Sequence, residues 1–443
     1  MQLGKSLRTA YDSRLVTSRP GSRPTPSRCF EDERLLNNTV SHSRLYDRNF
    51  ALALFCQTCF VAANTLMAHY ARWIEFLGGD LRQVGLVMGA GATVGLVLRP
   101  WMAQWINRLG ARMMWAIGLI VFAAGSLANL SIDQINPLIY VVRSSLVLGA
   151  AIVFASSLTY ITQSTPEHRR TEAIGIFGIG GFLGMLMGPF IGDLFLADRE
   201  RGNFVWLFVT AALANLLPTI GLYFLRATSS ERTNSSVRLK DFLATTRRHW
   251  PGMILLVDLS FGVSMAGPFV FVASFIDQAS LSITGVSVIG LFFLFYASTG
   301  ITLRLVLRRL PERLGARKVL LAGMVFMAAG MFCFALVTAD STWLIIVPAI
   351  LTGTGHGLMF HTMTSLTLET YPMAVRGSGS ALALMMLDLG TIFGAPVLGL
   401  IGERFGFAIL FGAIGVFGLA VAATYAFSCT GVFDIKRDTE AAV

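Results

Sequence analysis

Charged side chains are scarce in this sequence: Asp, Glu, Lys and Arg make up 14% of its 443 residues, where soluble domains carry roughly 25%. The complement is a hydrophobic content of 54% and a mean hydropathy of +0.65. Together these exclude a soluble globular domain. Cysteine is thin as well. Five residues, an odd number, do not make a disulfide framework. Cys56 and Cys59 spell C-x-x-C, but they sit in the apolar run FCQTCF with no second ligand pair, and read as packing residues rather than a metal or redox centre. The run GTGHG, Gly353 to Gly357, has the glycines of a phosphate loop, yet it lies inside an apolar helix and no strand leads into it. No metal cluster and no pairing of nucleophile with base is found. The sequence therefore points away from an enzyme and calls for no cofactor.

What is abundant is the long apolar run. Twelve stretches approach the ~20 residues that a bilayer helix needs, near 49–71, 83–106, 113–132, 137–162, 172–196, 204–225, 251–276, 284–307, 318–338, 342–366, 378–401 and 406–428. Backbone entering lipid must satisfy its hydrogen bonds within helices or closed barrels, and these runs are too long and too uniformly apolar for barrel strands. The expected fold is an all-α membrane protein of twelve transmembrane helices. Residues 1–48, rich in Ser, Arg and Pro, carry no apolar core of a signal peptide and read as a disordered basic tail.

Acidic residues number 25 against 35 basic ones. In a soluble protein that excess would suggest nucleic acid; here it is a matter of topology. Lys and Arg crowd into the amino-terminal tail, the central loop and the other connections on one side, leaving Arg72, Arg82, Arg199, Arg201 and Arg404 on the other. The positive-inside rule then places both termini in the cytoplasm, and no nucleic-acid partner is expected. The central loop 226–250 separates an amino-terminal half, 49–225, from a carboxy-terminal half, 251–428, with a short cytoplasmic tail at 429–443.

The halves repeat. Shifting the chain by 205 aligns residues 92–118 with 297–323, with ten of 27 positions identical and no gap. Arg99 meets Arg304, and Arg108-Leu109-Gly110-Ala111-Arg112 meets Arg313-Leu314-Gly315-Ala316-Arg317. With a shift of 206, Pro166 and Arg170 meet Pro372 and Arg376. Both copies leave an even-numbered helix toward the same side, so the two six-helix units are parallel repeats about an axis along the membrane normal, an arrangement of secondary transporters.

At these residues the chain resembles the major facilitator superfamily over essentially all of 49–428. The family's loop between helices two and three appears as Asn107-Arg108-Leu109-Gly110-Ala111-Arg112, with an amide where an acid is usual and Ala103 where a glycine is usual. The resemblance implies a cytoplasmic latch in which these cations grip the opposite half, and an amide that weakens it. Its second copy adds Glu312, Arg313, Gly315 and Arg317. The fifth span matches the antiporter motif of the superfamily's drug:proton exporters at Gly175, Gly184, Gly188, Pro189 and Gly192, with Asp193 in place of a second glycine. Gly390, Gly394, Pro396 and Gly399 echo it in span eleven. In span four, the arginine to glycine spacing differs from the family's, which turns Arg143 about 200° from the expected face at 100° per residue, so no proton-relay role is carried over to it.

Ionisable groups inside hydrocarbon cost roughly 2.5–3.5 kcal/mol on insertion scales and are functional candidates by default. From the helix rise, Asp388 lies about 16 Å and His356 about 15 Å from the cytoplasmic ends of spans eleven and ten, and the two are expected to meet near the midplane; Asp258 lies about 12 Å in and His361 about 8 Å in. In the resembled family, spans one, four, seven and ten line the cavity. That makes Gln57, Asn64, His356 and His361 candidate substrate-cavity residues, and Asp258, or failing that Asp388, the candidate proton-coupling carboxylate. Arg99 and Arg304, about 10 Å in, are assigned to conformational change.

The function expected is a proton-coupled exporter of a small organic molecule or drug in the plasma (inner) membrane, working by alternating access as a monomer. Partners are the substrate, protons and the lipid bilayer. A proton:solute symporter and a non-transporting sensor on the same scaffold are the alternatives.

Overall fold

The computed structural model describes residues 47–165, 169–196, 200–226, 239–306, 310–372 and 375–440. The expected tail up to residue 46, the linker segment 227–238, Pro166 and the last three residues lie outside it.

Twelve helices are long and apolar enough to cross a membrane. They are numbered here α1 (Arg48–Phe76), α2 (Leu81–Leu109), α3 (Ala111–Ser131), α4 (Pro137–Ser164), α5 (Arg170–Phe195), α6 (Arg201–Tyr223), α7 (Ile254–Gln278), α8 (Val288–Val306), α9 (Ala316–Leu336), α10 (Ala339–Glu369), α11 (Arg376–Phe405) and α12 (Phe407–Glu440). All twelve expected spans are present. The largest extensions are α1, which runs on to Phe76, and α12, which continues through the expected carboxy-terminal tail to Glu440. The linker contains a short amphipathic helix, Leu239–Arg248, whose Phe242 is buried against Leu255, Tyr371 and Leu382.

With an even number of spans, the start of α1, the end of α6 and the end of α12 share one face, the near face; the α1–α2 and α7–α8 turns share the far face. Local chemistry explains the helix boundaries. Asp80 accepts the Gln83 amide at 2.7 Å while the Gln83 side chain accepts the Asp80 amide at 3.2 Å, a capping box that starts α2. Asn136 caps α4, followed by Pro137, which has no amide hydrogen to leave unsatisfied. The repeated RLGAR turns need glycine: Gly110 and Gly315 adopt φ of 86° and 88°, a region that a side chain resists.

Small residues let the helices close on one another, as expected where lipid supplies no hydrophobic drive between helices. Within the first half, α5 lies on α1: a Cβ at Gly184 would stand 2.7 Å from the Ala62 amide nitrogen. Within the second, α11 lies on α7, with Gly390 against the Leu259 carbonyl and Gly262 against that of Leu387. Two further seams join the halves: α2 on α11 and α5 on α8. Near the far face both α1 and α7 depart from regular α-helix, by a 3₁₀ turn at Met67–His69 and a π turn at Gly267–Phe271 that includes Pro268.

Candidate functional site

The α2–α11 seam carries an ion pair. Arg99 donates through Nε to Asp388 Oδ2 at 2.5 Å and through Nη2 to Oδ1 at 3.0 Å, a two-pronged geometry that suits a planar guanidinium on a carboxylate. The side chains are 11% and 9% exposed, so neither charge is well hydrated, and each depends on the other. Asp388 therefore does not meet His356, contrary to expectation. The Arg99 guanidinium reaches it first because α2 and α11 come close at Gly85, Gly89 and Gly399, where glycine leaves room for the opposite backbone. A Cβ at Gly95 would stand 3.2 Å from Asp388 Oδ2, so a glycine also clears the space beside the carboxylate.

His356, on α10, instead shares a hydrogen bond through Nδ1 with the Tyr296 hydroxyl of α8. It is ringed by Phe182 of α5 at 5.5 Å, Phe261 of α7 at 5.3 Å and Phe360 at 5.8 Å between ring centres. Phe182 comes from the first half and the others from the second, so this aromatic and histidine cluster spans the α5–α8 seam. Arg304 lies over Phe182, its guanidinium carbon 4.6 Å from the ring centre. Its Nε and Nη1 are buried and make no hydrogen bond among the described residues.

Asp258 is not open to a cavity as expected. It is 0% exposed, packed in the second half, where Oδ2 accepts the Thr367 hydroxyl of α10 at 2.9 Å and Oδ1 has no hydrogen-bond partner among the described residues. Gln57 is likewise buried, with Oε1 unsatisfied among those residues; Asn64 is half-buried. His361 is exposed and packs edge-on to Phe360 at 5.4 Å.

A cluster that sequence reasoning missed closes the far end. Arg72 of α1 donates through Nε and Nη2 to both oxygens of Asp277 on α7, each at 2.8 Å, and through Nη1 to Asp193 of α5 at 2.7 Å. The same Nη1 lies 2.9 Å from His69 Nδ1, and His69 Nε2 donates to the Pro189 carbonyl at 2.9 Å. That second bond makes Nδ1 the acceptor. Arg72 is 5% exposed. Close by, Gln278 donates to Glu75 at 3.4 Å, and the Leu81 amide to Glu403 at 3.1 Å, further ties between the halves. The signal was in the repeat: Arg72 and Asp277 are 205 positions apart, the same shift that relates the two halves, so opposite charges occupy equivalent places beside the pseudo-twofold axis.

The sequence profile described as Major Facilitator Superfamily matches residues 50–313 and 284–432. The chain belongs to the Major Facilitator Superfamily. It is an integral, multi-pass membrane transporter of a superfamily that carries small molecules. Among its relatives, the putative multidrug resistance protein MdtD of Pectobacterium carotovorum is 23% identical over 79% of this chain and 85% of its own length. The staphylopine export protein of Staphylococcus aureus is 22% identical over 82% and 91%. Among solved structures, a form of the nucleoside transporter NupG superimposes with a TM-score of 0.70 at 13% identity, covering 85% of this chain and 98% of that one.

Placed on this major facilitator fold, the glycines of the antiporter motif sit mainly at the α1–α5 contact, inside one half. Gly184 and Gly188 face the α1 backbone and Gly192 faces His69, while Gly175 has open space where a side chain would be. In the loop after α2, Arg112 does not grip the opposite half: it donates to the Leu225 carbonyl at 2.6 Å, satisfying the free carboxy-terminal end of α6 in its own half. Arg108, Arg313 and Arg317 are exposed. The side chains of Asn107 and Glu312 lie outside the described residues.

Proposed function

We propose that this superfamily member is a proton-coupled exporter of a small organic molecule, with its near face in the cytoplasm, its far face outside and alternating access between them. The observation that carries the reading is the Arg99–Asp388 pair. It is the buried ion pair of the α2–α11 seam, between halves that must separate and rejoin. A proton taken up by Asp388 cancels one charge of the pair and removes the attraction across that seam, so protonation and conformational change are one event. This makes Asp388 the coupling carboxylate in preference to Asp258, which is enclosed within a single half, where a proton has less leverage on the contact between halves. The far-end cluster at Arg72 then marks a state closed to the outside. The positive-inside bias supports the orientation, and the multidrug resistance and staphylopine export relatives support the outward direction.

The test is accumulation of a panel of dyes, drugs and organic acids in inverted vesicles with an imposed proton gradient. Wild type is expected to concentrate at least one compound in a gradient-dependent way. Asp388→Asn is expected to keep downhill exchange of that compound but lose the response to the gradient. Gradient-driven accumulation by Asp388→Asn equal to wild type sinks the coupling assignment, and no gradient-dependent movement of any compound by wild type sinks the exporter.

A further inference from the structure

The repeat makes Arg304 the counterpart of Arg99, but only one of the two has a counter-ion among the described residues. Moving the partner of Arg99 back by the same shift of 205 or 206 brings Asp388 onto Leu183 or Phe182. The structure bears this out in space: Arg99 is held by Asp388, whereas Arg304 lies on the Phe182 ring at 4.6 Å. An aromatic face attracts a cation, but supplies no acceptor in the plane of the guanidinium. Nε and Nη1 of Arg304 are buried without a hydrogen bond among the described residues, and both His356 and His361 lie within electrostatic reach of its charge. Neither is an anion. A glycine, Gly178, lies against Nη1, where any side chain would collide with it. A buried guanidinium with free donors, seated against a glycine that makes room for it and with no carboxylate among the described residues, is unfavourable unless something completes it.

Resting on the transporter reading above, we propose that Arg304 is the anion-binding residue of the substrate site. The molecule carried is an organic anion, with a carboxylate or phosphate group on Arg304 and an apolar or aromatic body against Phe182 and its neighbours Phe261 and Phe360. The substrate takes the place that Asp388 fills in the other seam. An anionic lipid headgroup offers the same chemistry, and the experiment separates the two sources.

The probes are 2-naphthoate, its uncharged amide, 2-naphthyl phosphate and inorganic phosphate. Each is added to the purified full-length protein in neutral detergent and in phosphatidylcholine nanodiscs with or without phosphatidylglycerol, and binding is read by ligand fluorescence and thermal shift. Wild type is expected to bind at least one organic anion about 10- to 100-fold more tightly than 2-naphthoamide, the worth of a charge-assisted hydrogen bond. Arg304→Met is expected to abolish that preference. Phe182→Asp, which installs the carboxylate of the other seam, is expected to abolish it too while leaving a folded protein, so that loss of binding is not mistaken for loss of structure. Equal binding of acid and amide, an unchanged preference in Arg304→Met, or no binding of any probe overturns the proposal. Stabilisation by phosphatidylglycerol that depends on Arg304 and excludes the organic anions overturns the substrate assignment in favour of a lipid. Gradient-driven export of cations or neutral drugs without anion binding would leave the exporter standing and remove this inference alone.

Discussion

Two seams join the halves of this transporter, and although the repeat makes them equivalent they are built differently. The α2–α11 seam is closed by backbone on backbone: Gly85 faces the Ala395 carbonyl, Gly399 the Leu81 carbonyl, and Arg99 is neutralised by Asp388. The α5–α8 seam is filled by aromatic side chains: Gly300 faces the Phe182 ring, Gly290 meets Phe190, and Arg304 lies on Phe182 with no carboxylate among the described residues. A contact made of opposed backbone and an ion pair has few ways to yield. One made of rings and an unmatched cation can rearrange around a ligand. The difference teaches that sequence symmetry sets where the halves meet, while a single Asp or Phe at the meeting point sets whether the seam acts as a clamp or is open to a guest.

The largest effect is expected at the far end, where one arginine ties α1 to both α5 and α7. Arg72→Ala takes the cation from Asp277, whose side chain is 8% exposed, and from the more open Asp193; stranding a buried carboxylate such as Asp277 costs about 3–5 kcal/mol. Labelling of cysteines placed at the far end should rise sharply, and unchanged labelling would mean the cluster does not hold that end closed. Next, Arg99→Met or Asp388→Leu alone should lower the free energy of unfolding by an amount of the same order, about 3 kcal/mol, while the double variant recovers most of the loss, because the penalty lies in the unpaired charge. If the two single losses simply add in the double variant, the pair is not coupled.

The glycines sharpen the comparison further. Gly85→Ala drives a methyl group into the Ala395 carbonyl, which cannot turn aside, and should cost about 1–3 kcal/mol as overpacking. Gly300→Ala meets the ring of Phe182, a side chain that has rotamers to use, and should cost less in thermal unfolding; a greater loss at Gly300 would reverse the view of which seam is rigid. Smaller still is Tyr296→Phe, which removes the hydroxyl on His356 and should cost about 1–2 kcal/mol for one lost buried hydrogen bond. The smallest is Arg108→Gln, an exposed cation, expected to shift stability by no more than about 0.5 kcal/mol.

Much of this could be read from the chain before its structure. The twelve spans follow from length and hydropathy, and the glycine turns after α2 and before α9 from RLGAR. The Arg72–Asp277 tie was readable in principle, as opposite charges at one repeat position. Other placements were not. Arg99 and Asp388 are 289 residues apart, and nothing in the spacing along either helix says that they face each other. Depth alone set Asp388 beside His356, because depth measures distance along the helix axis and is blind to rotation around it. The same blindness put Asp258 in the cavity, when the α7–α10 contact encloses it with Thr367. Arg112 shows the limit from another side: an arginine at a helix start can serve any nearby carbonyl, and the packing of α6 decided that it serves Leu225.

By itself, then, the sequence determined that this protein lives in a bilayer, crosses it twelve times and is built of two parallel copies, because hydropathy and repetition act locally or by simple translation. Tertiary structure decided which charges are matched. Matching depends on the angle at which each helix presents its side chains and on which neighbour arrives within about 3 Å, the reach of a hydrogen bond. That is why two arginines that occupy equivalent places in the repeat have opposite surroundings, one satisfied by Asp388 and the other left against Phe182.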